Sequence, residues 1–226
     1  MKVLLLNGSP RANGCTFTAL SEVAMQLEKN GIEAEIVQMG PGAIHGCTAC
    51  GRCNVLDKCV FDDVVNVIKE KMKTADGFIV GTPVYYASPN GALISLLDRL
   101  FYCSDRDVFA YKPAAMVASA RRAGTTASLD VISKYFTISQ MPVVSSQYWN
   151  MVHGNTPDQV RQDKEGMQIM RTLGNNMAWL LKCIEAGKAA GYAFAKVGKQ
   201  LPKQKEDPLE TIRTRALDLG IPVKVK

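Results

Sequence analysis

Five short apolar runs, at 3–6, 34–37, 77–80, 114–118 and 142–144, alternate along the chain with longer stretches of helical periodicity. Strands covered on both faces read as near-continuous apolar runs, and parallel neighbours need a crossover long enough for a helix. The alternation therefore predicts an α/β domain with a parallel sheet and helices on both faces. In the first helix Phe17, Leu20, Ala24 and Leu27 share a face, and Asp62/Asp63 open a second helix running to about Lys73. A third is expected over 92–102 and a fourth over 125–135. Asp163 starts a long fifth helix with Met167, Met170, Met177, Leu181 and Ile184 on one side, a core face or, as a second reading, an oligomer interface. Thr156-Pro157-Asp158-Gln159 carries an N-cap, a proline at the first helical position and a capping-box glutamine, so a short extra helix begins there.

A chain of 226 residues with 47% hydrophobic content fits one such domain, placed at 1–198. The polar run 199–206 reads as a linker. Asp207-Pro208 starts a last helix that Gly220 stops, so 199–226 is expected as a linker and helical extension. No apolar run approaches the ~20 residues of a membrane span, and the first apolar run is interrupted too soon for a signal peptide. A soluble, cytoplasmic protein is expected. The net charge of +6 gathers toward the C-terminal segment from Lys196 without interleaved aromatics, which argues against nucleic acid as a partner.

The first apolar run feeds Asn7-Gly8-Ser9-Pro10-Arg11-Ala12-Asn13-Gly14-Cys15-Thr16 and then a helix. Two glycines allow close backbone approach, hydroxyls and an arginine offer donors, and a helix N-terminus adds partial positive charge. The spacing departs from G-x-G-x-x-G and from the P-loop, so a terminal monophosphate such as that of FMN suits it better than a dinucleotide or ATP. A strand-to-helix turn without a ligand is the alternative. Two more loops fall at carboxyl ends of predicted parallel strands, where binding crevices form. One carries Pro83, Val84, Tyr85 and Tyr86, whose adjacent tyrosines suit a planar ring. The other runs from Ser119 through Arg121, Arg122 and Gly124, where an arginine would stabilise an anionic flavin.

Seven cysteines are present, four of them at Cys47, Cys50, Cys53 and Cys59. Two-residue gaps let thiolates converge on one soft metal centre, while zinc ribbons space their pairs further apart. Free thiols or a reversible disulfide would look the same. Cys15, Cys103 and Cys183 read as small buried hydrophobes without a thiol role. His45 and His153 lack partners at metal or hydrolase spacing.

Together Gly8-Ser9-Pro10-Arg11 with Asn13, Gly14 and Thr16, Thr82-Pro83-Val84-Tyr85, Leu97-Asp98-Arg99, and the cysteine loop followed by Asp62-Asp63 resemble the NADPH-dependent FMN reductases and their iron–sulfur flavoprotein branch. The resemblance covers 1 to about 195. It departs in Arg121 and Arg122, where many relatives are glycine-rich. It implies a flavodoxin-like, five-stranded sheet of order 2-1-3-4-5. It also implies FMN held by Ser9, Arg11, Asn13, Gly14, Cys15 and Thr16, by Pro83, Val84, Tyr85 and Tyr86, and by Ser119, Arg121, Arg122 and Gly124. NAD(P)H would reduce the flavin, which would pass electrons to a quinone, nitro compound or free flavin. The alternative is an electron carrier with FMN and a [4Fe–4S] cluster on Cys47, Cys50, Cys53 and Cys59, serving a redox protein such as ferredoxin. A flavin or thiol redox sensor is a third reading. A homodimer or homotetramer is implied.

Overall fold

The computed structural model describes residues 1–192, so the expected linker and last helix lie outside the described residues. Strand β1 (Lys2–Asn7) is an interior strand of the sheet, parallel to β2 (Glu33–Gln38) on one side and to β3 (Gly77–Tyr85) on the other. Its side chains alternate between two core layers. Val3 and Leu5 pack with α1 (Cys15–Lys29) and α7 (Lys164–Ala189), whereas Leu4 and Leu6 pack with α3 (Val64–Thr74) and α4 (Gly91–Tyr102). All four are fully buried, which is why this strand reads as an unbroken apolar run. The edge strand β2 is only half-buried and carries Glu33 and Glu35 toward Lys2 and Lys71.

Strand β3 runs well past the apolar run that marks it. Its register with β5 (Ala114–Ala120) continues to Pro83 opposite Ser119, and it then folds back on β4 (Ser88–Pro89). Beyond Gly81 it has no β1 partner, so a proline without an N–H breaks no ladder on that side. The expected loop at 81–91 is thus largely strand and tight hairpin. Its two-residue turn, Tyr86–Ala87, has φ of 49° and 59°, the doubly positive pattern of a type I′ turn that normally selects Asn-Gly.

With β6 at Met151–His153, five parallel strands take the order β2-β1-β3-β5-β6, the expected 2-1-3-4-5 once the hairpin strand β4 is set aside. The fifth position is filled in two pieces, only the first of which lies at the predicted run. Val143 makes one bridge to Ala114, and the ladder resumes only at β6 (Met151–His153), paired with Ala118 to Ala120. Between them the chain loops out, closed by Ser146 Oγ to Asn150 Oδ1 at 2.8 Å, and presents Tyr148 and Trp149 to solvent.

Helix α5 spans Thr125–Ile138 and the short α6 Pro157–Gln162, the latter capped by Thr156 as expected. Asp63 caps α3 and Asp163 caps α7. The methionine stripe is core: Met167, Met170, Met177 and Leu181 lie against α1, where Gly174 permits contact so close that a Cβ would sit 2.8 Å from Gln26 Cβ. Beyond Leu181 no residue of α7 is buried, and Ile184 is half-buried. Cys183 is consequently exposed, not buried as expected, Cys103 is buried, and Cys15 is half-buried. No helix among the described residues is long and apolar enough to cross a membrane.

Candidate functional site

The carboxyl ends of β1, β3 and β5 are tied together by three contacts that no local pattern specifies. Gly8 N–H donates to Gly81 O at 2.9 Å, and a Cβ on Gly8 would lie 2.7 Å from that carbonyl oxygen. The Thr16 and Ser119 hydroxyls, both buried, stand 2.7 Å apart. Gly124, at φ +93°, lies so close to the hairpin that a Cβ would meet Ala87 Cα at 2.5 Å. These contacts gather the three predicted loops at one end of the sheet.

Inside the first loop Ser9 N–H donates to Asn7 Oδ1 at 3.2 Å, and Arg11 N–H to Ser9 Oγ at 3.1 Å. Gln38 at the end of β2 donates to Ser9 O at 2.6 Å and accepts from Asn7 Nδ2. Arg11 and Asn13 are exposed, whereas Gly14 is buried. Helix α1 opens at Gly14 with neither a side-chain cap nor an acidic residue in its first turn. Its first N–H groups are therefore left for an anion. Burial raises the Cys15 thiol, which donates to Gly154 O at 3.7 Å.

Across the crevice Tyr85 and Tyr86 are exposed, Tyr86 completely, and Arg121 and Arg122 are exposed on the β5–α5 loop. His153 Nε2 lies 3.0 Å from Arg122 O, and its backbone N–H donates to Asp163 at 2.7 Å. Asn90 binds Gly8 O at 2.9 Å through its amide and caps α4 through its carbonyl. Asn7, Gln38 and Asn90 are thus structural members of the site that sequence reasoning missed. Only Asn90 had a local signal, an Asx residue immediately before a helix.

At the opposite end of α4 a small solvent-open pocket is lined by Cys47, Cys50, Cys53 and Cys59. Phe61, Arg99, Tyr102 and a fifth thiol, Cys103, complete its wall. Cys47 and Cys50 are exposed; Cys53, opening the four-residue helix α2 (Cys53–Leu56), and Cys59 are half-buried. Positive φ at Ala49, Gly51 and Asp57 folds this loop back on itself. The Cys50 thiol is lowered, first by the Arg52 backbone N–H, which outweighs desolvation, and then by the Thr48 side chain. Among the described residues no three His, Cys, Asp or Glu side chains close to metal-binding spacing, so the thiols line the pocket without meeting at one point.

Two fully buried cations stand behind this loop. Lys69 bonds Asp57 through its backbone carbonyl and its carboxylate, the latter at 2.6 Å, and Cys103 O at 2.9 Å. Arg99 donates through Nε to Cys59 Sγ at 3.2 Å, through Nη1 to Asp63 at 2.6 Å and His45 O at 3.4 Å, and through Nη2 to Asp63 at 2.9 Å and Phe61 O at 3.1 Å. Burial opposes its charge, and Asp63 followed by Cys59 more than offsets that, so its pKa is raised.

A doubly covered parallel sheet with an uncapped helix N-terminus and exposed aromatics at its carboxyl edge defines a flavodoxin-like flavoprotein. The chain belongs to the NADPH-dependent FMN reductase family, whose model matches residues 1–156. It is an FMN-dependent oxidoreductase. An iron–sulfur flavoprotein of Methanocaldococcus jannaschii is 31% identical over 196 residues, covering 82% of this chain and 100% of that one. An iron–sulfur flavoprotein of Methanosarcina thermophila is 30% identical over 193 residues, covering 83% and 99%. An FMN-dependent NADPH-azoreductase of Staphylococcus saprophyticus is 29% identical over 121 residues, covering 53% of this chain and 61% of its own. Among solved structures RosB superposes with a TM-score of 0.65 at 17% identity, covering 100% of this chain and 99% of its own. An archaeal flavodoxin gives 0.55 at 14% identity, covering 80% and 99%. These two establish the fold.

Proposed function

We propose that the protein takes electrons from NAD(P)H into FMN and passes them through a [4Fe–4S] centre in the cysteine pocket to a redox protein such as a ferredoxin. One observation carries this reading: four cysteines with the sequence spacing of a cluster loop line one pocket, beside an arginine that already donates to one of them. The name shared by the two archaeal relatives supports it. The donor set fits, since cluster binding requires four thiolates and four cysteines line this pocket, Cys47 and Cys50 on an exposed stretch.

FMN phosphate would sit on the loop of Ser9, Arg11, Asn13, Gly14, Cys15 and Thr16, facing the uncapped start of α1. Within that set Thr16 also holds the loop to Ser119. The ring would lie between Pro83, Val84, Tyr85 and Tyr86 on one side and Ser119, Arg121, Arg122 and Gly124 on the other. Bound FMN supplies hydride acceptance and one-electron release, and a bound cluster supplies single-electron exchange. The chain's part is to hold, orient and shield both groups. Reduced thiols suit a cytoplasmic setting, and exposed Tyr148, Trp149 and Trp179 suit burial in a homodimer or homotetramer.

A second reading keeps the thiols free and makes the protein a reductase of quinones, nitro compounds or free flavin. The open Tyr85–Tyr86 edge and the azoreductase relative favour it. Purification without oxygen, with absorbance, iron analysis and rapid mixing with NADH or NADPH, separates the two. About four irons per chain and absorbance beyond the flavin bands support the cluster reading. Flavin reduced by coenzyme in an iron-free preparation supports the second, and absence of flavin after adding FMN excludes both.

A further inference from the structure

The cysteine loop is a long excursion between β2 and α3, and one side chain from elsewhere holds both of its ends. Arg99 bonds the His45 carbonyl just before Cys47, the Cys59 sulfur, and the Phe61 carbonyl and Asp63 carboxylate just after it. Its guanidinium also lies 5.0 Å over the Phe61 ring, on which His45 stacks at 4.5 Å. A guanidinium has five N–H donors in a rigid fork, and all five are used here. Lys69, the other fully buried cation among the described residues, bonds only oxygen atoms.

We propose that Arg99 is the positioning residue of the thiolate centre: it closes the cysteine loop and stabilises the negative charge that arrives with an electron at Cys59. The inference rests on the cluster reading above. A one-electron reduction without proton uptake, the electron coming from reduced flavin, adds one negative charge to the pocket. A cationic donor on a ligand sulfur stabilises the reduced side more than the oxidised one, so it raises the reduction potential. Asp63 works in the opposite sense, because it neutralises part of the Arg99 charge.

These opposed signs distinguish tuning from simple support of the fold. Lysine at 99 keeps a charge near Asp63 but has three donors and no fork, so it loses the Cys59 bond. Asparagine at 63 retains an oxygen for the Val65 N–H cap and leaves Arg99 with its full charge on Cys59. The experiment reconstitutes the full-length chain anaerobically with iron and sulfide, then measures iron, FMN and the midpoint potential by dye-mediated titration with electron paramagnetic resonance detection. In Arg99→Lys the equilibrium constant for reduction falls about tenfold, equivalent to about 59 mV for one electron. In Asp63→Asn the potential rises, and FMN content stays at the wild-type level in both.

Potentials that do not move, or that move in the same direction in the two variants, overturn the role of Arg99 while leaving the cluster reading intact. Should Arg99→Lys load no iron, Asp63→Asn alone decides: a raised potential supports the proposal and an unchanged or lowered one rejects it. A wild-type chain that takes up no iron overturns the cluster reading and this inference with it.

Discussion

Thr16 Oγ1 and Ser119 Oγ stand 2.7 Å apart, across 103 residues of sequence, and join the first turn of α1 to the carboxyl end of β5. Both are buried, so each hydroxyl depends on the other for its partner. Thr16→Val leaves the Ser119 hydroxyl unsatisfied and costs about 1–3 kcal/mol, while the double change Thr16→Val with Ser119→Ala recovers most of that loss. Urea unfolding of the four proteins of this cycle measures the coupling.

Gly8 has no room for a side chain, since a Cβ would meet Gly81 O at 2.7 Å and Leu93 Cδ2 at 2.5 Å. Backbone cannot yield as a side-chain tip can. Gly8→Ala therefore costs about 1–3 kcal/mol and separates β1 from β3 at the phosphate loop. The expected outcome is a folded protein that retains less FMN through gel filtration.

At Gly124 two effects coincide, a φ of +93° and an approach of 2.5 Å to Ala87 Cα. Alanine there adds about 1–2 kcal/mol of backbone strain and displaces the Tyr86–Ala87 turn. FMN binds more weakly, whereas competition by inorganic phosphate at the α1 loop is unchanged. Fluorescence titration of the flavin-free protein with both ligands checks this.

Serine at Cys47, Cys50, Cys53 and Cys59 together removes iron binding and spares FMN. The two sites sit at opposite ends of α4, with Asn90 on Gly8 at one end and Arg99 at the other. Nine residues of helix place them roughly 14 Å apart along its axis. Iron and flavin assays on one anaerobic preparation decide it; parallel loss of both would show that the sites are coupled.

Glu35 is held below its ordinary pKa by its hydrogen bond to Lys2 and then by that to Lys71. A carboxylate depressed in the folded state stabilises above its unfolded value of about 4.3, and that contribution disappears as pH falls through the lower folded value. Glu35→Gln should thus be less stable than wild type at pH 7, by up to about 1 kcal/mol for so exposed a pair. The gap should close below about pH 4, measured by thermal unfolding across pH.

Much of this fold is written in local pattern. The buried runs of β1 and β3, the Asp63 and Asp163 caps and the apolar stripe of α7 depend on burial period and hydrogen bonds within a few residues, so each is readable from its own segment. The fifth parallel strand is only partly legible, because 142–144 and 151–153 share one edge of β5 with an outward loop between them. An apolar run marks burial, and pairing with Ala114 or Ala118 is decided by the neighbouring strand.

The alternation of strand and helix, the glycine-rich start of α1 and the spacing of four cysteines are matters of period and residue type, legible along the chain. Long-range packing alone puts Thr16 on Ser119, Gly124 on Ala87, and Arg99 on Cys59 and both ends of its loop. Those pairs lie far apart in the chain, and nothing within a turn or two of any partner carries the other's position. Packing of α1, α4 and α5 on the shared sheet brings them together.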